Sequence, residues 1–323
     1  MAQELFLQKS AVMGGGLMGS QIALVLAMGS EETVLMSRRQ ETVDNAMENI
    51  HRYAGDLERH DLLRGQSAPD VLARIRTSTD VGDAVGDAEF VVESITENLE
   101  AKQALFEQMD ALAPRDTVLA SNTSGLPITV LGERMKHQDR IGGSHFFQPA
   151  HIVPVLEVIR GDHTSDETMD RSCEIWERLG RTTLKVQKDG PGFLVNRLQH
   201  AIIREAVHCL ATGVADAESI DLAVELGLAP RFTTAGPLKQ RDINGLEMHV
   251  RVAGHLWQEL AGWEEPLAYL QAMVERGETG LNSGKGYYDW SGQDPTAVRS
   301  EKDEHLIRRT EQVMADWRAR AKY

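Results

Sequence analysis

Two residues near the middle of the chain carry side chains suited to moving a proton. His145 closes an apolar stretch, RIGGSHFF, and Glu157 lies on the next one, VPVLEVI, with Pro149 and Pro154 shaping the connection between them. That arrangement lets imidazole and carboxylate meet inside a cleft. A buried carboxylate bonded to one ring nitrogen fixes the tautomer and stabilises the imidazolium that forms when the other nitrogen takes a proton. Such a pair can deprotonate an alcohol while hydride leaves the same carbon. A histidine near a strand end is more often structural, so the surrounding segments decide its role.

A second set of residues could accept that hydride indirectly, by holding a cofactor. Gly14, Gly16 and Gly19 in VMGGGLMGS fit G-x-G-x-x-G, between the short apolar run SAVM and the helical pattern LMGSQIALVLAMG. In a dinucleotide-binding turn the first glycine permits the tight bend, the second admits the pyrophosphate and the third lets helix meet strand. The helix N-terminus adds amide donors and positive potential. About 20 residues further on, an NAD site normally places an acidic side chain for the ribose hydroxyls. Ser37 stands there instead, followed by Arg38 and Arg39. A hydroxyl and two guanidinium groups suit a 2′-phosphate, so the expected coenzyme is NADP(H), with NAD(H) as the alternative.

The elements that must position these residues alternate. ETVLMS reads as a strand, ETVDNAMENIHRYAGDLERHDLL as a long amphipathic helix, and SAPDVLARI as a helix opened by Ser67. AEFVVES (strand), LEAKQALFEQMDALA (helix) and DTVLASN (strand) continue the pattern. Sustained alternation implies a doubly wound, mostly parallel sheet. RIGGSHFF, VPVLEVI and TTLKVQ extend it to about Gln187, with SDETMDRSCEIWERLG as a helix between the last two. Beyond KDGPGF every periodic segment is helical, so the expectation is an α/β Rossmann domain over residues 1–189 followed by an all-α domain over 190–323. In the charged tail, Leu306, Val313 and Trp317 suggest a last helix packed on a partner or on the body.

A length of 323 residues suits two domains, and 41% hydrophobic with 26% charged residues is a globular composition. The 34 Lys+Arg against 49 Asp+Glu give −15, a surface that disfavours nucleic acid and anionic membranes. Cys173 and Cys209 sit in no ligand-like cluster, which argues against a disulfide framework or a metal site. The first residues lack a signal-peptide pattern and no long apolar run appears, so a cytoplasmic location is expected.

Four segments, ASNTSGLPIT, SHFFQPAHIVPVLEVI, KDGPGFLVNRL and SGKGYYDW, resemble signature segments of the 3-hydroxyacyl-CoA dehydrogenase family, and the resemblance covers almost the whole chain. It implies His145 as catalytic base, Glu157 as the group that orients it, Ser124 touching substrate and cofactor, and Asn196 completing the site. It also implies that Glu97 and Lys102 lie beside the nicotinamide ribose. Three positions depart from the family pattern near cofactor or substrate: Ser37, Gln148 where asparagine is usual, and Asn282. The segment GLAPRFTTAGPLKQRDINGLE, with Arg231, and the extended tail resemble the branch that oxidises small hydroxy acids, such as gulonate dehydrogenase and lens-crystallin relatives. The implied reaction interconverts a 3-hydroxy and a 3-oxo group. The implied substrate is an acyl-CoA or, alternatively, a small hydroxy acid whose carboxylate Arg231 would clamp. A homodimer through the helical domain is also implied. A non-catalytic nucleotide-binding protein is the rival from another class, and the joint presence of Ser124, His145, Glu157 and Asn196 argues against it.

Overall fold

Strands buried on both faces are apolar almost throughout, and two short runs of this kind, FVVE and VLAS, buried at every residue, build the centre of the sheet. A computed structural model of the chain describes residues 4–262 and 264–320. The first unit contains β1 (Leu7–Met13), α1 (Leu17–Ala27), β2 (Ser30–Met36), α2 (Gln40–Arg59), α3 (Ala68–Leu72), β3 (Ile75–Ser78), α4 (Val81–Val85), β4 (Phe90–Glu93), α5 (Leu99–Leu112), β5 (Val118–Ser121), α6 (Ile128–Leu131), β6 (Ile141–Phe146), β7 (Val155–Ile159), α7 (Asp166–Arg178) and β8 (Thr182–Val186). Successive side chains of a strand point to opposite faces. Accordingly Val12, Leu35, Val92 and Ala120 join the core under α1, α2 and α7, while Ala11, Val34, Val91 and Leu119 join the core under α4, α5 and α6.

The strand order is β3-β2-β1-β4-β5-β6-β7-β8. Neighbours are parallel except β6 and β7, which run antiparallel. The order reverses between β1 and β4, and in open α/β sheets the crevice beyond the strand carboxyl ends at that point takes the ligand. The doubly wound, mostly parallel sheet expected from the alternation is present, and it ends at Val186.

One expected helix is corrected. SAPDVLARI does not form a single helix, because α3 stops at Leu72 and Ile75 opens β3. Ser67 caps α3 by accepting from the Asp70 amide at 3.2 Å, as the sequence suggests. Thr33 to Met36 of β2 then pair with Ile75 to Ser78. One apolar residue in four is too weak a pattern to announce a strand, and the ladder to β2 supplies what the side chains lack.

The chain divides into two units between Asn196 and Arg197. Helix α8 (Val195–Ala211) opens just before the division; the second unit continues with α9 (Ala217–Leu222), α10 (Ala229–Thr234), α11 (Pro237–Asn244), α12 (Leu246–Leu256), α13 (Glu264–Glu275) and α14 (Pro295–Arg320). Among its described residues there is no strand beyond isolated bridges at Gly280, Lys285 and Asp289. In α14, Ile307 is buried and Val313 exposed, while the side chain of Trp317 lies outside the described residues. No helix among the described residues is long and apolar enough to cross a membrane.

Candidate active site and coenzyme cradle

The reversal of β7 brings the acid–base pair together. His145 and Glu157 are direct cross-strand partners in the β6–β7 ladder, so their side chains emerge side by side on one face. His145 Nδ1 lies 2.6 Å from Glu157 Oε2, and both side chains are buried. The other carboxylate oxygen, Oε1, accepts from the Leu194 amide at 2.8 Å and the Val195 amide at 2.7 Å. These N–H groups open α8 and have no partner within the helix, so the carboxylate occupies an anion-favouring helix start. Burial by itself would raise the Glu157 pKa. The His145 bond and the two amides outweigh it and hold the carboxyl below its ordinary value. An anionic Glu157 requires Nδ1–H on His145, which leaves Nε2 as the proton acceptor. Phe147 and Phe193 wall the imidazole, with ring centroids 4.9 and 5.6 Å away.

The turn after β5 carries Ser124. Asn196, in the first turn of α8, donates from Nδ2 to the Ser124 carbonyl at 3.2 Å, so these two expected site residues are in contact. On its other side the turn is gripped by Glu97, whose Oε1 accepts from the Thr123 hydroxyl, the Ser124 amide at 3.1 Å and the Gly125 amide at 3.3 Å. Burial would raise the Glu97 pKa, but the Thr123 hydroxyl, the Lys102 charge and the Ser124 amide together hold it below the ordinary range. Asn122, which sequence reasoning passed over, joins three elements. Its Oδ1 accepts from the Phe146 amide at 2.9 Å, next to His145, and its Nδ2 donates to Ser94 Oγ at 3.2 Å. The only sequence signal for this role is its place in the polar run SNTS at a strand end. Lys102 is shut away from solvent, with Nζ 2.6 Å from Glu93 Oε1 and 3.3 Å from Glu97 Oε2.

The three glycines divide by cause. Gly14 has φ +129, and a Cβ there would lie 2.3 Å from the Ser94 carbonyl oxygen. A Cβ on Gly19 would lie 1.8 Å from the Gly14 carbonyl oxygen. The fold itself demands these two. Around Gly16, the residue before α1, a Cβ would meet nothing within 4 Å. The fold tolerates a side chain at Gly16, and only an approaching ligand would not. The unpaired first-turn amides of α1 beside it fit a pyrophosphate. We expect Gly16→Ala to keep folding stability within about 1 kcal/mol while weakening coenzyme binding about ten-fold or more, the loss of one charge-assisted contact. Thermal melts and coenzyme titration check this, and unchanged affinity would show that the open space is not the pyrophosphate site.

Ser37 is half-buried at the end of β2, and Arg38 and Arg39 are exposed. Neither guanidinium makes a hydrogen bond or ion pair with another described residue. Gln148 is exposed in the loop after β6, a loop fastened to α1 by the Ala150 amide donating to Gln21 Oε1 at 2.7 Å. Arg231 lies in the second unit, on α10, exposed and with no side-chain partner among the described residues.

Residues 9–190 match the family model described as 3-hydroxyacyl-CoA dehydrogenase, NAD binding domain, and residues 192–290 match its C-terminal domain. Helix α14 lies beyond both matches. Among curated relatives, the 5-formyl-3-hydroxy-2-methylpyridine 4-carboxylate 5-dehydrogenase of Mesorhizobium japonicum is 30% identical over 298 residues, covering 92% of this chain and 95% of that protein. The mitochondrial hydroxyacyl-coenzyme A dehydrogenase of Homo sapiens is 32% identical over 297 residues, covering 90% and 93%. Among solved structures, that of a 5-formyl-3-hydroxy-2-methylpyridine 4-carboxylic acid 5-dehydrogenase, titled an NAD+-dependent dismutase, overlays with a TM-score of 0.87 at 28% identity, covering 96% of this chain and 99% of that one. An (S)-3-hydroxybutyryl-CoA dehydrogenase from Ralstonia eutropha overlays with a TM-score of 0.71 at 30% identity, covering 88% and 100%.

Proposed function

The chain belongs to the 3-hydroxyacyl-CoA dehydrogenase family, and from that premise we propose how its residues divide the work. It is an oxidoreductase of the CH–OH class that interconverts a 3-hydroxy and a 3-oxo group with a nicotinamide coenzyme. When bound, the coenzyme takes or gives the hydride. His145 Nε2 takes the hydroxyl proton during oxidation and returns it during reduction. Glu157 keeps the imidazole in the accepting tautomer and stabilises its cationic form. Ser124, braced by Glu97 and Asn196, presents its hydroxyl to the substrate oxygen and limits its orientation. The 2.6 Å bond between His145 and Glu157 carries this reading, since its direction leaves one nitrogen free for one proton. Gln148 and the three glycines are assigned to the coenzyme.

For the substrate we take a 3-hydroxyacyl-CoA. A panel of 3-hydroxyacyl-CoAs and free hydroxy acids, assayed with both coenzymes by absorbance of the reduced nicotinamide, tests it. Turnover of 3-hydroxybutyryl-CoA is the expected result, and inertness toward every acyl-CoA would remove the assignment. A second reading, a small substrate with a free carboxylate, is favoured by the fuller overlay on the pyridine-carboxylate dehydrogenase. In that case Arg231 clamps the carboxylate through a bidentate pair. Arg231→Leu then raises KM for a free hydroxy acid by about ten-fold or more and leaves a CoA thioester unaffected. Equal KM values for wild type and variant on the free acid would dispose of the clamp.

For the coenzyme we propose NADP(H) in preference to NAD(H), on the strength of Ser37 and the two exposed arginines, Arg38 and Arg39, although the matched family model is described as NAD binding. A homodimer through the helical unit belongs to the same proposal. Leu238, Ile243, Val250 and Trp257 are each at least 65% exposed in the single chain, more apolar surface than a lone helical unit ordinarily leaves in water. Light scattering should give twice the chain mass of 35.8 kDa, and a monomer at all concentrations would refute it. A cytoplasmic location suits Cys173 and Cys209, both free thiols.

A further inference from the structure

We infer that Glu93 is a positioning residue for the dehydrogenase reaction: through Lys102 it sets the carboxylate of Glu97, and with it the turn that carries Ser124. The inference rests on the reaction assigned above. Glu93 is the last residue of β4, in register with Met13 at the end of β1 and Ser121 at the end of β5. It therefore sits at the reversal of strand order, on the floor of the crevice expected to hold the coenzyme. Its side chain is fully buried. Oε1 accepts from Lys102 Nζ at 2.6 Å and from the Ile95 amide at 2.7 Å, and Oε2 accepts from Ser121 Oγ at 2.6 Å.

A buried ion pair is weak evidence for stability, since well-packed apolar residues often do as well in its place. Here the pair is one segment of a longer row. Lys102, buried in the first turn of α5, continues at 3.3 Å to Glu97 Oε2, while Glu97 Oε1 holds the Thr123 hydroxyl and the Ser124 and Gly125 amides. The charges alternate: negative, positive, negative. With Glu93 ionised, Lys102 is already neutralised on one side and draws only one oxygen of Glu97, leaving the other on the turn. Without that charge the ammonium has Glu97 as its sole carboxylate and pulls it off the Ser124 and Gly125 amides. The Ile95 bond extends the effect to the coenzyme side. It fixes the peptide after Ser94, whose carbonyl closes against Gly14. A single carboxylate thus ties the glycine turn, the segment 94–97 and the turn 121–125 together. Glutamine keeps the shape but not the charge. Its oxygen can still accept from Lys102 Nζ and the Ile95 amide and its NH2 can donate to Ser121 Oγ, but Lys102 loses its buried anion.

The test uses the full-length protein and three variants: Glu93→Gln, Glu93→Asp, and Glu93→Gln combined with Lys102→Met. The measured quantities are the thermal midpoint, Kd for NADH and NADPH by fluorescence of the reduced nicotinamide, and kcat and KM. Glu93→Gln is expected to raise the Kd of the preferred coenzyme and the substrate KM by about ten-fold or more while keeping the pH midpoint of kcat/KM. Glu93→Asp preserves the charge but not the reach, and should fold normally with Kd raised at least several-fold. The double variant removes the uncompensated ammonium, and with it the stability loss. It also removes the cation that holds Glu97 Oε2 and the carboxylate that fixes the 94–97 segment, so it should regain the wild-type melting temperature but not the wild-type Kd. Recovery of both stability and affinity in the double variant would show a purely structural pair. Wild-type Kd in Glu93→Asp would likewise overturn the inference, even if Glu93→Gln failed to fold. Failure of the wild type to bind either coenzyme would instead strike the dehydrogenase reading itself.

Discussion

His145→Gln is expected to lower kcat by about 10²–10⁴ while leaving coenzyme affinity nearly intact, the range for loss of a positioned general base. Glutamine keeps a polar group of similar reach, so the β6–β7 ladder and the walls of Phe147 and Phe193 stay in place. What disappears is the atom that accepts the proton. Glu157→Gln should produce a loss of comparable order by another route. Its amide would have to meet three donors, His145 Nδ1–H and the Leu194 and Val195 amides, with one oxygen. The favourable compromise turns the imidazole into the wrong tautomer. Because Glu157 is held below the ordinary carboxylate range, its contribution to stability is present above the unfolded carboxyl pKa. It is lost only as pH falls through the lower folded value. An activity loss setting in above that range therefore belongs to some other group. Steady-state kinetics with coenzyme titration decide the first prediction, and equal turnover by wild type and His145→Gln on the true substrate would end the proposed mechanism.

Ser37→Asp combined with Arg38→Ile is expected to reverse a preference for NADP(H) into one for NAD(H). In the wild type Ser37 can donate to a 2′-phosphate without repelling it, and Arg38 and Arg39 are exposed cations at the end of β2. Charge-assisted hydrogen bonds contribute about 1.5–3 kcal/mol each. Losing two of them shifts the ratio of kcat/KM values by about 10²–10⁴. The aspartate adds discrimination of its own, since it accepts from the ribose hydroxyls and repels the phosphate. Turnover with the favoured coenzyme should stay near that of the wild type, because β2 contributes nothing to the His145–Glu157 pair. A wild-type enzyme that prefers NAD would show that both arginines are solvated surface, and that the backbone at Gly14, Gly16 and Gly19 suffices for binding.

Local patterns written into the chain determined a great deal. Short apolar runs alternating with helical patterns, and the spacing of Gly14, Gly16 and Gly19, announced the doubly wound sheet and its phosphate turn, because a strand, a helix or a tight bend depends on neighbouring residues. The segments around His145, Glu157, Ser124 and Asn196 likewise pointed to the reaction class through their resemblance to a known family. Contacts between residues far apart in the chain were decided by tertiary structure. The antiparallel turn of β7 made His145 and Glu157 cross-strand partners. The start of α8 gave Glu157 its two amide donors, from residues 37 and 38 positions away in the chain. Strand β3 exists because β2 offers it a ladder, and its own side chains would not have required one. The burial of Glu93 and Lys102 had no sequence signal, since in ESITENLEAK they read as two charges among several on a polar stretch. Only the closing of α5 onto the ends of β4 and β5 removed them from water. Once there, each required the other, because a buried charge is tolerated only when paired and hydrogen-bonded.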